Sequence, residues 1–332
     1  MLDLKAPRSR LYKLADKVAQ ESELKPPKPR LRVQISKKWT PLLWFSAGSL
    51  FASLVGLSVV GIATANSPQA FRAHIALNRP TLYDNSPVKA TLAASHTTIQ
   101  VNSTQIQSLL DNFVAQADGP MAVSVLDLKT GESGSIAAEK VLPSASLYKL
   151  FVAGGIYSEI DNGQLSSAKV VPGTNETVAS CLKEMIVVSD NVCGEALETM
   201  LGLGSYDATL LSQGYIHTEW SVLPVETSVS DVALLYERLY NGTLLSPTSS
   251  KNFIALLKEQ QLNNRLPQGL PNGTQIAHKT GDLDSYVHDA GIVYGPKTDY
   301  LIVVMAGPWS DPATAPAQIA DLSRQVWALL EK

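Results

Sequence analysis

The spacing of apolar side chains predicts helices and strands in different parts of the chain. Apolar residues recur every three or four positions, as in helices, at 103–117, 176–188, 192–201, 206–213, 230–240, 253–257 and 317–330. Short β-type runs separated by Gly, Pro and Asp lie at 121–126, 133–138, 275–280, 290–294 and 300–306. Two strands near the start of this region and three near its end therefore enclose a block of helices.

This order of elements predicts an α/β (α+β) fold. The economical arrangement is one antiparallel five-stranded sheet built from both ends of the region and flanked by its first and last helices. The sheet lobe would comprise 103–140 and 270–332, and an all-helical lobe would comprise 141–269. We expect a cleft between the two lobes.

The segment 141–161 is predicted to be a helix buried on nearly every side. Ser144 and Ser146 offer capping chemistry at its start, and a nearly unbroken apolar run follows. Lys149 is the one cation in that run, and it shares a face with Ser146 one turn away. Burial lowers the pKa of a lysine, which would allow its amine to take the proton of a serine hydroxyl. The alternative is a lysine that extends from the core to solvent.

Charge and hydropathy set the residues before 103 apart. Residues 1–38 hold eleven Lys/Arg and four Asp/Glu, a net charge of +7 in a chain whose total is −3. The 24 residues 42–65 carry no charge and would cross a bilayer as a helix. We therefore expect a basic, largely disordered cytoplasmic tail at 1–38, one transmembrane helix at 39–65 and an extracytoplasmic linker at 66–102. Cleavage after Ala65 is the alternative to an uncleaved membrane anchor.

Cys181 and Cys193 are the only cysteines. An extracytoplasmic location would permit a disulfide between them, and two buried thiols are the alternative. A disulfide would brace the segment 189–191.

Three short motifs occur in order: Ser146-Leu-Tyr-Lys149, Ser189-Asp190-Asn191 and Lys279-Thr280-Gly281. Each motif alone is weak, since Ser166–Lys169 and Ser180–Lys183 repeat the first pattern and Lys129-Thr130-Gly131 repeats the third. Each of the three nevertheless has its proper setting, namely a helix start, a turn between helices and a strand. From about residue 103 to the end, the chain resembles the class A β-lactamase and penicillin-binding protein superfamily.

The resemblance implies a role for each motif residue. Ser146 would be the nucleophile, Lys149 its base, and Ser189 the relay of a proton to the departing nitrogen. Asn191 would hold the substrate amide and position Lys149, while Lys279 and Thr280, followed by Gly281, would bind the substrate carboxylate. The backbone N–H groups of Ser146 and Asp282 would form the oxyanion hole. Caps and strand-edge charges are the structural alternatives for these residues.

Departures from the family pattern concern the hydrolysis of the acyl-enzyme. The loop that ordinarily carries the deacylating glutamate is short here, and Glu219 is the nearest candidate for that base. Glu226 fits the turn before Thr227 better. His288-Asp289 lies near the place where many relatives have a carboxylate-binding arginine, and we interpret this pair as structural.

The sequence thus predicts a membrane-anchored serine hydrolase of class A β-lactamase type that opens a β-lactam amide through Ser146. One alternative is a cell-wall D,D-peptidase that β-lactams acylate slowly, and another is a non-catalytic, anchored peptidoglycan-binding module. No zinc spacing, phosphate-binding loop or G-x-S-x-G motif is present, so we expect no metal and no cofactor. The expected partners are a β-lactam or a peptidoglycan stem peptide and the membrane, without nucleic acid, and we expect a monomer.

Overall fold

The computed structural model describes residues 101–332. Its main sheet is built from β1 (Met121–Asp127), β2 (Ser133–Ile136), β3 (Gln275–Leu283), β4 (Tyr286–Tyr294) and β5 (Asp299–Ala306). All neighbouring strands are antiparallel, in the order β2-β1-β5-β4-β3. The predicted five-stranded antiparallel sheet built from both ends of the region is confirmed, and β3 is one of its edge strands.

The helices are α1 (Ser103–Val114), α2 (Tyr148–Asp161), α3 (Val178–Val187), α4 (Asn191–Leu201), α5 (Leu203–Ser212), α6 (Val229–Tyr240), α7 (Pro247–Lys258) and α8 (Ala315–Leu330). The first and last of them pack on one face of the sheet, as predicted. Ile106 of α1 and Ile319 of α8 share a buried cluster there with Ile302 of β5.

The helical lobe covers the opposite face of the sheet. Val303, the next residue along β5, belongs to a second cluster that also contains Phe151 of α2 and Leu235 of α6. Successive residues of a strand point to opposite faces, so the apolar run of β5 serves both clusters. α2 is buried on most of its surface, as its apolar sequence predicts.

A two-stranded ribbon leads into α2, so the predicted helix start at residue 141 and the predicted all-helical lobe at 141–269 are wrong on this point. Its strands are Leu142–Pro143 and Glu226–Thr227. Beside it, Ser144 N donates to Val225 O at 2.8 Å. Strands of two residues carry too little alternation to be recognised from a hydropathy pattern.

The predicted tail at 1–38, the transmembrane helix at 39–65 and nearly all of the linker at 66–102 lie outside the described residues. Within 101–332, no helix has the length and hydropathy that a membrane crossing requires.

Candidate active site

Ser146 lies in a single 3₁₀ turn, Ala145–Leu147, directly before α2. The expected caps are wrong, because neither Ser144 nor Ser146 caps the turn or the helix with its side chain. Ser144 Oγ instead donates to Ala145 O at 3.2 Å. Within 101–332 the half-buried hydroxyl of Ser146 makes no hydrogen bond, which leaves both its proton and its lone pairs available for a substrate.

Lys149 lies in the first turn of α2 and is completely buried. Its Nζ donates to Ser189 O at 2.6 Å and to Asn191 Oδ1 at 2.7 Å. A longer contact of 3.3 Å reaches Ser189 Oγ. The described residues include no hydrogen bond between Lys149 and Ser146, so the amine is held by the turn between α3 and α4 and not by the neighbouring hydroxyl.

The surroundings of Lys149 disfavour its charged form. Burial lowers the pKa of Lys149 to about 8, while the negative charges of Asp190 and Glu195 act in the opposite direction. A substantial fraction of the amine is therefore neutral close to physiological pH.

Ser189 lies at the turn between α3 and α4 with a φ of +60°, which is uncommon for a residue other than glycine. The α4 cap is Asp190, whose Oδ1 accepts from Cys193 N at 2.7 Å. The capping alternative for Ser189 and Asn191 therefore does not apply. Cys181 of α3 and Cys193 of α4 form a disulfide across the turn, with a Cα–Cα distance of 4.9 Å.

Lys279 reaches the same hydroxyl from the sheet. It is completely buried on β3, and its Nζ donates to Ser189 Oγ and to Thr280 O, each at 2.9 Å. Burial first, and the positive charge of Lys149 second, hold the pKa of Lys279 well below its usual value. Ser189 Oγ thus lies between two amines, a position from which a hydroxyl can pass a proton.

Gly281 brings β3 directly against the turn of Ser146. A Cβ at position 281 would lie 3.1 Å from both Ser146 N and Ala145 Cβ. The buried Thr280 Oγ1 has no hydrogen-bond partner within 101–332, and Asp282 has an exposed side chain. All three predicted motifs therefore meet at one place.

Arg265 was missed by the sequence analysis. It is buried, and its guanidinium donates to His288 O at 2.6 Å and to Gly281 O at 3.3 Å and pairs with the carboxylate of Asp282. These bonds connect Arg265 with β4 and with the part of β3 that directly follows Thr280. A lone arginine in a loop has no spacing that could have revealed this position.

His288 and Asp289 are buried in the sheet, as expected for a structural pair. His288 Nε2 donates to Pro143 O at 2.8 Å, and its Nδ1 accepts from Ala306 N at 3.2 Å. Burial lowers the pKa of His288 to about 4, so the ring is neutral. Asp289 Oδ1 lies 2.9 Å from His278 Nδ1.

The side chain of Glu219 takes part in none of these contacts. It is exposed, and its backbone forms a bridge with Glu226 through bonds of 3.0 Å and 3.2 Å. No hydrogen bond or ion pair links its carboxylate to the other predicted site residues within 101–332. The same part of the chain contains no group of three His, Cys, Asp or Glu side chains placed to hold a metal ion.

Comparison with known proteins gives a family model described as "Beta-lactamase enzyme family", which matches residues 103–330. The chain is similar to a solved structure of PBP-A with 25% identity and a TM-score of 0.65, over 70% of this chain and 98% of that one. A mutant of PBP-A, in an acyl-enzyme complex with penicillin G, has 25% identity and a TM-score of 0.62 over 69% and 96% of the two chains.

More distant structures share the fold. A β-lactamase from Sphaerobacter thermophilus has 21% identity and a TM-score of 0.62, over 69% of this chain and 98% of that one. No curated protein matches the sequence.

Proposed function

Since the chain belongs to the β-lactamase enzyme family, we propose that it is a serine hydrolase of class A β-lactamase type, which opens a β-lactam amide through an ester on Ser146. The observation that carries this proposal is the position of Ser189 Oγ between Lys149 and Lys279, beside the strand that packs against Ser146. A nucleophile, a base and a proton relay are thereby supplied by three separate elements.

In the acylation step, Ser146 Oγ bonds to the lactam carbonyl carbon and its proton passes to the neutral amine of Lys149. The hydrogen bond for this transfer forms when substrate binds, since such contacts often tighten only in the substrate complex. The carbon–nitrogen bond then breaks, and the departing nitrogen receives a proton from Ser189 Oγ. Lys149 restores the proton of Ser189, which leaves both groups as they began.

The backbone N–H groups of Ser146 and Asp282 would bind the developing oxyanion, an interaction whose loss typically costs about 3–4 kcal/mol. Thr280 Oγ1, buried without a partner in the described residues, and the amine of Lys279 would donate to the substrate carboxylate. Arg265 holds this part of β3 in place through its contacts with Gly281 and Asp282.

A D,D-peptidase that β-lactams acylate slowly is the second candidate. The exposed side chain of Glu219 favours it, because an acyl-enzyme without a base for water persists. The two candidates share the acylation step and differ in the lifetime of the ester.

The test is to incubate the full-length protein with penicillin G and to follow its intact mass over time. A transient adduct accompanied by hydrolysed penicillin supports a β-lactamase, and a lasting adduct supports a D,D-peptidase. Ser146→Ala should abolish the adduct, whereas Ser166→Ala, in a loop with the same S-x-x-K spacing, should not. If the parent protein forms no adduct, the catalytic proposal is wrong and the binding module is favoured.

The membrane anchor at 39–65, with the catalytic domain on the extracytoplasmic side, is part of the same proposal. The uncharged run at 42–65 after a basic segment supports it, as does a disulfide in the domain. Protease treatment of intact cells and of lysed cells tests it: digestion of the domain only after lysis would contradict an external location.

A further inference from the structure

One face of α4 runs from the reaction centre to the segment 213–227. Asn191, Glu195 and Glu198 are spaced by four and three residues, which places their side chains on that face. Asn191 at the start of the face accepts from Lys149 Nζ at 2.7 Å. Glu198 at the other end is buried, and its Oε1 accepts from Trp220 Nε1 at 2.7 Å. The side chain of Glu195 projects from α4 between Asn191 and Glu198.

Gly194, the residue before Glu195, lies against the side chain of Lys149. A Cβ at Gly194 would lie 3.0 Å from Lys149 Cε and 3.0 Å from Tyr148 Oη. The rings of Tyr148 and Trp220 meet edge to face with centroids 6.0 Å apart, and Trp220 is the residue that binds Glu198. Glu195 follows Gly194 directly and is half-buried, and its negative charge raises the pKa of Lys149, so its carboxylate lies within electrostatic reach of the amine.

The other carboxylates near this place are already occupied or face solvent. Asp190 caps α4, Glu198 binds the Trp220 indole, and Glu219 is exposed. The carboxylate of Glu195 accepts no hydrogen bond from any residue in the described part of the chain. It is thus free to hold a water molecule next to Lys149.

We propose that Glu195 is the general base that hydrolyses the Ser146 ester, an inference that rests on the proposed acyl-enzyme. The Glu195 carboxylate takes one proton from a water molecule as the water oxygen bonds to the ester carbonyl carbon. The bond from that carbon to Ser146 Oγ then breaks. The proton held by Glu195 returns through Lys149 to Ser146 Oγ, so ester and water become acid and free serine. A residue of α4 thereby replaces the glutamate expected on the short loop.

The test measures acylation and deacylation by penicillin G separately, from the appearance and decay of the intact-mass adduct in the full-length protein. Glu195→Gln should leave adduct formation within a fewfold of the parent and slow adduct decay by about 10²–10⁴-fold, the usual contribution of a general base. Slower decay with adduct formation near the parent rate separates a role in deacylation from a general structural change, which would slow both steps.

Glu184→Gln, at an exposed position of α3, is the matched control, and its adduct should decay at the parent rate. Equal decay of Glu195→Gln and the parent overturns the inference, as does a parent adduct that never decays. A slowing in Glu219→Gln without one in Glu195→Gln would assign the role to Glu219. Absence of any parent adduct would instead remove the proposed function itself, and this inference with it.

Discussion

Lys149 Nζ and Asn191 Oδ1 lie 2.7 Å apart, and the lysine is completely buried. The neutral amide of Asn191 accepts from one N–H of the Lys149 amine, and it adds no negative charge that would favour the protonated amine. Burial lowers the pKa of Lys149 to about 8, against the opposing effect of the negative charges of Asp190 and Glu195. A carboxylate at position 191 in place of this amide would favour the charged amine and raise that pKa.

We predict that the rate of acylation by penicillin G rises with pH and has its midpoint near 8, because the neutral amine of Lys149 forms as the pH passes its pKa. Asn191→Asp would place a carboxylate against the ammonium and move the midpoint upward by about one unit or more. The measurement is the pH profile of adduct formation. Asn264→Asp, on an exposed loop, is the control and should keep the parent midpoint.

A second prediction concerns Gly281. A side chain there would press on Ser146 N and Ala145 Cβ, both 3.1 Å from the position of a Cβ. Gly281→Val should slow acylation by about 10²-fold, since a displacement of about 1 Å at a reacting group has effects of this size. Circular dichroism and a thermal melt establish whether the variant folds. A folded variant that acylates at the parent rate would contradict the close packing of β3 on the turn.

Alanine substitutions at two neighbouring glycines of α2 should change the free energy of unfolding in opposite directions. A Cβ on Gly154 meets nothing within 4 Å, whereas one on Gly155 would lie 2.6 Å from Tyr206 Oη. Gly154→Ala should therefore raise the free energy of unfolding by roughly 0.5–1 kcal/mol through helix propensity. Gly155→Ala should lower it by about 1–3 kcal/mol through overpacking. Urea unfolding curves measure both, and equal signs would contradict the prediction.

His288 should make the domain less stable in acid. Its pKa is about 4 in the folded protein and 6.5 ordinarily, so the unfolded chain binds a proton over this interval and the folded protein does not. The contribution of His288 to stability is complete above pH 6.5 and is lost as the pH falls toward 4, by about 3 kcal/mol. Unfolding free energies at pH 7 and pH 5 test this, and in His288→Gln the decrease should be smaller. An unchanged decrease would assign the effect to other groups.

The sheet and most helices could be predicted from the sequence, because their apolar positions repeat over long segments and pack into the buried clusters on the two faces of the sheet. Motif residues were located by context: Ser166 lies in a loop and Lys129 in a hairpin turn, while Ser146 precedes a buried helix. α7 begins six residues before its predicted apolar core, because Ser246 caps it and Pro247 starts it in a polar first turn.

The sequence could not predict contacts that depend on tertiary geometry. The buried contacts of Arg265 are formed with strands that follow it in the chain, so no local pattern marks them. The exposed position of Glu219 depends on its backbone bridge to Glu226, which leaves no periodic signal. The sequence alone does not distinguish Glu195 from other acidic residues on helix surfaces. The contacts of Asn191 with Lys149 and of Glu198 with Trp220 show in which direction this face of α4 points.

The disulfide between Cys181 and Cys193 closes a loop of the chain that contains Ser189, and it links α3 with α4. A disulfide that closes a loop of this length contributes on the order of 3 kcal/mol to stability. Thiol reagents in a purification buffer would therefore change the stability of the protein that is measured. Protein made in a reducing host cytosol and protein folded under oxidising conditions should be handled as two preparations, and kinetic constants from one should not be transferred to the other.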